Sequence, residues 1–141
     1  MTDTPSVEAW NNFVMNIEPS NFEAGSSYRA AAIANLYMGL ATNGGINSFL
    51  TCSHEFDATE VLEALISLGA LTAAKEFNLV LRGLKVPVPA SSQEARWSLL
   101  EQYWPSSLDN YDVLTEQAYR DLQQSLERHV KSNEAFYLSL K

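Results

Sequence analysis

The stretch Ser26-Ser27-Tyr28-Arg29-Ala30-Ala31-Ala32-Ile33-Ala34-Asn35-Leu36-Tyr37-Met38-Gly39-Leu40-Ala41-Thr42-Asn43-Gly44-Gly45 carries one charge, Arg29. Ser26 or Ser27 can open a helix here, with Tyr28, Ala31, Ala32, Leu36 and Leu40 apolar along it. A helix apolar over so much of its circumference belongs at the centre of a fold. Asn43-Gly44-Gly45 is its expected stop, followed by a short helical piece from Ile46 to about Cys52.

Working outward, the same period recurs on both sides. Thr4 can cap a first helix with Pro5 at its first position, and Val7, Trp10, Val14 and Ile17 follow at helical spacing. Pro19 ends it. Asp57-Ala58-Thr59-Glu60 has the form of a capping box, followed by Val61, Leu62, Leu65, Ile66, Leu68 and a C-terminal Gly69. Leu71, Ala74, Phe77 and Leu81 continue as a helix to Gly83, and Val86-Pro87-Val88-Pro89 reads as an extended surface connection. Ser91-x-x-Glu94 opens a further helix that Pro105 stops. The last long helix is expected from about Asp112 to Lys131, on the stripe Leu114, Ala118, Leu122, Leu126 and Val130. Phe136 and Tyr137 should dock after it. With no useful period-2 segment, no repeat and no linker, the expectation is one all-α domain over residues 1–141 with six or seven helices.

Composition agrees with a globular chain. Of 141 residues, 46% are hydrophobic, and Gly and Pro number 6 and 5, which excludes disorder and collagen-like structure. No apolar run approaches the roughly 18 residues of a membrane helix. Met1-Thr2-Asp3-Thr4-Pro5 has neither basic nor apolar signal character, so no secretory signal is expected. Cys52 is the only cysteine, and a reducing cytoplasm is the expected compartment.

Charge is more informative. The net charge is −8, and the pI is near 4.6. Residues 1–63 hold Asp3, Glu8, Glu18, Glu23, Glu55, Asp57, Glu60 and Glu63 against Arg29 alone, or −7. Residues 64–141 are nearly balanced, at −1. Direct nucleic-acid binding and anionic lipid surfaces are disfavoured, since both need Lys and Arg. The alternatives are a solvated surface that keeps the chain soluble or a face for a basic protein. The densest cluster is Glu55, Asp57, Glu60 and Glu63. Asp57 and Glu60 also suit the start of a helix, whereas Glu63 lies beyond its first turn.

Little else suggests chemistry. Cys52-Ser53-His54-Glu55 joins a thiol, an imidazole and a carboxylate, but lacks the spacing of a metal site or a nucleophile–base set. The other histidine is His129. Asn43-Gly44-Gly45 lacks the strand, later glycines and lysine of a phosphate loop, and reads as a hinge between helices. No catalytic residue, metal or cofactor is expected.

Asn43-Gly44-Gly45-Ile46-Asn47-Ser48-Phe49-Leu50 resembles an N-G-G signature in a bacterial helical family related to DNA-mimic proteins, much of it of unknown function. The similarity continues in Glu63-Ala64-Leu65-Ile66-Ser67-Leu68-Gly69-Ala70, in Leu108-Asp109-x-x-Asp112-x-Leu114, and in Tyr119, Leu122 and Asn133-x-x-Phe136, over about 28–137. Ile46 and Leu50 stand where the family usually has aromatics, and Thr51-Cys52-Ser53 replaces a polar stretch. The resemblance implies a non-catalytic protein that occupies the basic DNA-binding surface of a regulator, carboxylates replacing phosphates. Its relatives are dimers, which leaves a homodimer open. An immunity protein against a toxin with a basic cleft is the alternative, and an enzyme using His54 or His129 a further one. The carboxylates expected to meet the partner are Glu18, Glu23, Glu55, Asp57, Glu60 and Glu63, exposed on one side, with Arg29 off that side or paired within it. Asn43, Gly44 and Gly45 are expected to be architectural, with at least one positive φ.

Overall fold

The computed structural model describes residues 4–52 and 55–140. Seven α-helices and two 3-10 turns make up its regular structure, with no strand among the described residues. The helices are α1 (Val7–Asn16), α2 (Ser27–Thr51), α3 (Ala58–Ser67), α4 (Leu71–Leu84), α5 (Gln93–Tyr103), α6 (Glu116–Ser132) and α7 (Glu134–Leu138). The turns are Pro19–Asn21 and Ser106–Tyr111. Among the described residues, no helix is long and apolar enough to cross a membrane.

α2 is the axle, as its composition requires. It packs against α3, α5, α6 and the turn at 19–21, and buries an unbroken run from Ala30 to Ala34. Small alanines at these positions let neighbouring helices approach closely on several sides. Tyr37 and Phe49, on either side of the kink, meet Phe77 of α4 edge-on, with centroids 5.2 and 6.3 Å apart. A second aromatic group, Phe13, Tyr28, His129, Phe136 and Tyr137, joins α1, α2, α6 and α7.

The kink in α2 falls at Gly45, at φ 86° and ψ 174°. The break frees N–H groups at the start of the second half, and the Asp112 carboxylate accepts the one from Asn47 at 2.7 Å. A Cβ on Gly45 would stand 2.7 Å from both the carbonyl and carboxylate oxygens of Asp112. Glycine is therefore required twice, for positive φ and for the approach of the 112 segment. Gly69 is another expected helix stop. It has φ 81°, and Gly69 and Ala70 donate to Ile66 and Leu65, closing α3 in a Schellman turn.

Several boundaries differ from expectation. Ser6, not Thr4, caps α1, accepting from Ala9 N. The buried face of α1 is Ala9, Phe13 and Ile17, while Val7 is 77% and Met15 81% exposed. Ser92, not Ser91, caps α5. α6 starts at Glu116 behind Thr115, because Asp112 is engaged with α2 and Leu114 lies before the helix. The Val86–Pro89 connection is not merely superficial: Val88 is buried and its carbonyl accepts from Ala58 N, fixing the start of α3.

Candidate functional site: the acidic α2–α3 face

The start of α3 is built around Asp57 and Glu60. Asp57 is the N-cap, accepting from Glu60 N at 2.8 Å. In a full capping box Glu60 would reach back to the Asp57 N–H. Here its carboxylate turns to Arg29 of α2, at 2.5 Å to Nε and 3.1 Å to Nη2. The pair is partly buried, and the hydrogen bond to Glu60 holds the Arg29 pKa above its usual value, with Glu55 adding to the effect. The remaining face of the guanidinium donates to the carbonyls of Pro19 and Phe22. Arg29 thus ties the segment bearing Glu18 and Glu23 to the helix bearing Glu60 and Glu63.

Beside this pair runs a groove of about 670 Å³ between α2 and α3. One wall is the α2 stripe Ser26, Arg29, Ala30 and Ile33; the other is the α3 stripe Thr59, Glu60, Glu63, Ile66 and Ser67. Asp57 and Glu63 lie along it with exposed side chains.

Of the six carboxylates expected to meet a partner, Asp57, Glu60 and Glu63 line this groove, and Glu55 lies close enough to act on Arg29. Glu18 and Glu23 are exposed next to the segment that Arg29 holds. Glu60 departs from expectation: it is half-buried and neutralised by the only base of residues 1–63. Asp57 serves as a cap as well as a surface charge. Among the described residues, no hydrogen bond or ion pair engages the carboxylates of Glu18, Glu23, Glu55 and Glu63.

The C-terminal carboxylates behave differently. Asp112 caps the second half of α2, and Asp121 accepts from Thr72 N at 2.9 Å at the uncapped start of α4. Glu76 accepts from the Thr115 hydroxyl at 2.6 Å, and Glu134 from Ser6 N at 2.7 Å. Asp109 and Glu101 hold the indole N–H groups of Trp104 and Trp97. Glu116 pairs with Arg120, and Glu127 accepts from Gln123. These acids are spent on helix starts and side-chain partners inside the fold.

A protein-family model described as DMP19-like protein matches residues 26–136. The chain belongs to the DMP19-like family. This is a family of DNA mimics. The match starts at the cap of α2 and ends in α7, so α1, Glu18 and Glu23 lie outside it, while Glu55, Asp57, Glu60 and Glu63 lie within it. No curated protein and no solved structure matches the chain.

The other sequence candidates find quieter places in this DMP19-like fold. His54 lies outside the described residues. His129 is buried, its Nε2 2.6 Å from the Tyr137 hydroxyl, and loss of hydration lowers its pKa to about 4. It is a neutral member of the α1–α2–α6–α7 aromatic group, and among the described residues no carboxylate bonds to it to orient it as a base. Cys52 Sγ donates to the Ser48 carbonyl. Among the described residues, no group of three or more His, Cys, Asp or Glu side chains has the arrangement of a metal site.

Sequence reasoning missed Arg96. It is 1% exposed, and its guanidinium donates to the carbonyls of Leu50, Phe56 and Pro89. A cation at the C-terminal end of α2 meets the negative end of that helix. It pins the end of α2, the approach to α3 and the 86–89 connection together. The cost of burying it shows as a lowered pKa. Its only sequence signal was its place in the first turn of a helix, which also fits a solvated arginine.

Proposed function

We propose that this chain is a non-catalytic, acidic protein-binding module of the DNA-mimic type, which occupies a basic nucleic-acid-binding surface of a partner protein. The observation that carries the reading is the division of labour among the carboxylates. Those of the C-terminal half, Glu94 apart, are bonded within the fold, whereas Glu18, Glu23, Glu55 and Glu63 stand exposed and uncommitted. Charge left uncompensated on one half of the sequence raises encounter rates with a basic surface and selects for it. The family of DNA mimics supplies the kind of basic surface. A cytoplasmic setting suits both this role and the single thiol of Cys52.

The reading is tested by immobilising the protein, capturing partners from the source organism, and eluting with a salt gradient. The expected result is a DNA-binding protein that elutes with rising salt. It should be absent when Glu55→Lys and Glu63→Lys are combined, and free wild-type protein should displace it from DNA in a gel-shift assay. Retention that ignores salt and the double substitution, or a captured protein that stays on DNA, contradicts the reading.

A further inference from the structure

The α2–α3 groove has a property that phosphate mimicry does not use. Its facing stripes are made of small residues, Ser26 and Ala30 on one side and Ala64 and Ser67 on the other. A leucine-sized side chain at any of them would fill the space between the helices. The base of the groove is apolar, formed by Ala30, Ile33 and Ala64, which are buried yet border it. Ile66 stands on the wall with 52% of its surface exposed, one turn from Glu63. The centre is electrically quiet because Glu60 is paired with Arg29, while Asp57 and Glu63, which form no ion pair among the described residues, leave negative charge along the same groove.

From this geometry we infer that the groove receives an apolar side chain of the basic partner, seated on Ile66, Ala30 and Ala64, with neighbouring Lys or Arg side chains reaching Asp57 and Glu63. The inference rests on the partner-binding reading above and adds to it the chemistry of the segment bound: an apolar anchor between cations. Charge complementarity selects this occupant, since an apolar base inside a negative rim rejects an acidic segment and gives a purely cationic one nothing to bury. DNA offers the partner no such anchor. Part of the affinity is therefore insensitive to salt.

The test uses fluorescence anisotropy with two labelled peptides, one with a central leucine flanked by lysines and one with serine in its place. On the wild-type protein the leucine peptide should bind about ten-fold more tightly, the scale of burying one such side chain. The ratio should persist at about 0.5 M salt, where screening weakens both peptides. Ile66→Ser and the groove-filling Ser67→Trp, at exposed positions checked by thermal melting, should bring the ratio close to one. Equal binding of both peptides to the wild type overturns the groove and leaves the acidic-face reading standing. A leucine preference that survives both substitutions also overturns the groove. Failure of both peptides to bind overturns both readings. Self-association of the protein that Ile66→Ser abolishes would make the occupant a second copy and overturn the proposal.

Discussion

Gly45 sets the path of the longest helix, and Gly39 of the same helix provides the control. A side chain at Gly45 meets both positive φ and the backbone of Asp112, whereas a Cβ at Gly39 meets nothing within 4 Å. Gly45→Ala should cost more than about 2 kcal/mol and Gly39→Ala nothing, read from denaturant melts. Asp112→Ala, which removes the cap, should cost about 1 kcal/mol. The hinge was legible in the sequence because two glycines interrupt an apolar run. Its partner was not, because Asp112 lies 65 positions from Asn47, whose N–H it accepts, and nothing local marks it as a cap. Arg96 was equally hidden. Arg96→Lys should not rescue Arg96→Ala, since an ammonium cannot hold carbonyls from three segments in one plane, and each change should cost about 3 kcal/mol or more. Tyr37 is the opposite case. Its hydroxyl is buried with no hydrogen-bond partner among the described residues, so Tyr37→Phe should leave the melting temperature unchanged or raise it.

At the scale of elements, the packing of α6 and α7 on α1 and α2 makes stability depend on pH through His129. Burial keeps its folded pKa near 4, while the unfolded chain protonates near the ordinary value of 6.5. Between these values the unfolded state binds a proton that the folded state refuses. Stability is therefore full above about pH 6.5 and falls as the pH drops toward about 4, by about 2–3 kcal/mol. Denaturant melts across this window check the slope, and His129→Gln should flatten it. The docking of Phe136 and Tyr137 was expected from their apolar character, but the acid sensitivity needed the aromatic surroundings of His129. Helix existence was legible throughout, from apolar periodicity and from stops such as Pro19, Gly69 and Pro105. The inward face of α1 was not. Val7 and Val14 share a helical spacing as good as that of Ala9 and Phe13, and α7 covers the face bearing the smaller Ala9. Caps shifted by a residue or two where adjacent hydroxyls, such as Ser91 and Ser92, compete for one role.

At the scale of the whole molecule, a net charge of −8 hides two populations of carboxylates. The sequence showed the imbalance between its halves, but not that the C-terminal acids are spent on helix starts and indoles, nor that Glu60 is neutralised by Arg29. The helix-start contacts and the Arg29–Glu60 pair join positions distant in the chain, and composition counts each carboxylate alike. The central claim is that the location of the charge, and not its total, makes the binding face. Two charge-matched double variants separate these directly: Glu55→Lys with Glu63→Lys, and Glu94→Lys with Glu116→Lys, all at exposed sites, with the folding of each checked by thermal melting because Glu116→Lys also breaks the pair with Arg120. The measurement is the dissociation constant of the captured DNA-binding partner for each variant across a salt series. The account predicts that the first pair loses binding and its salt dependence while the second stays close to wild type; equal weakening by both pairs would contradict it.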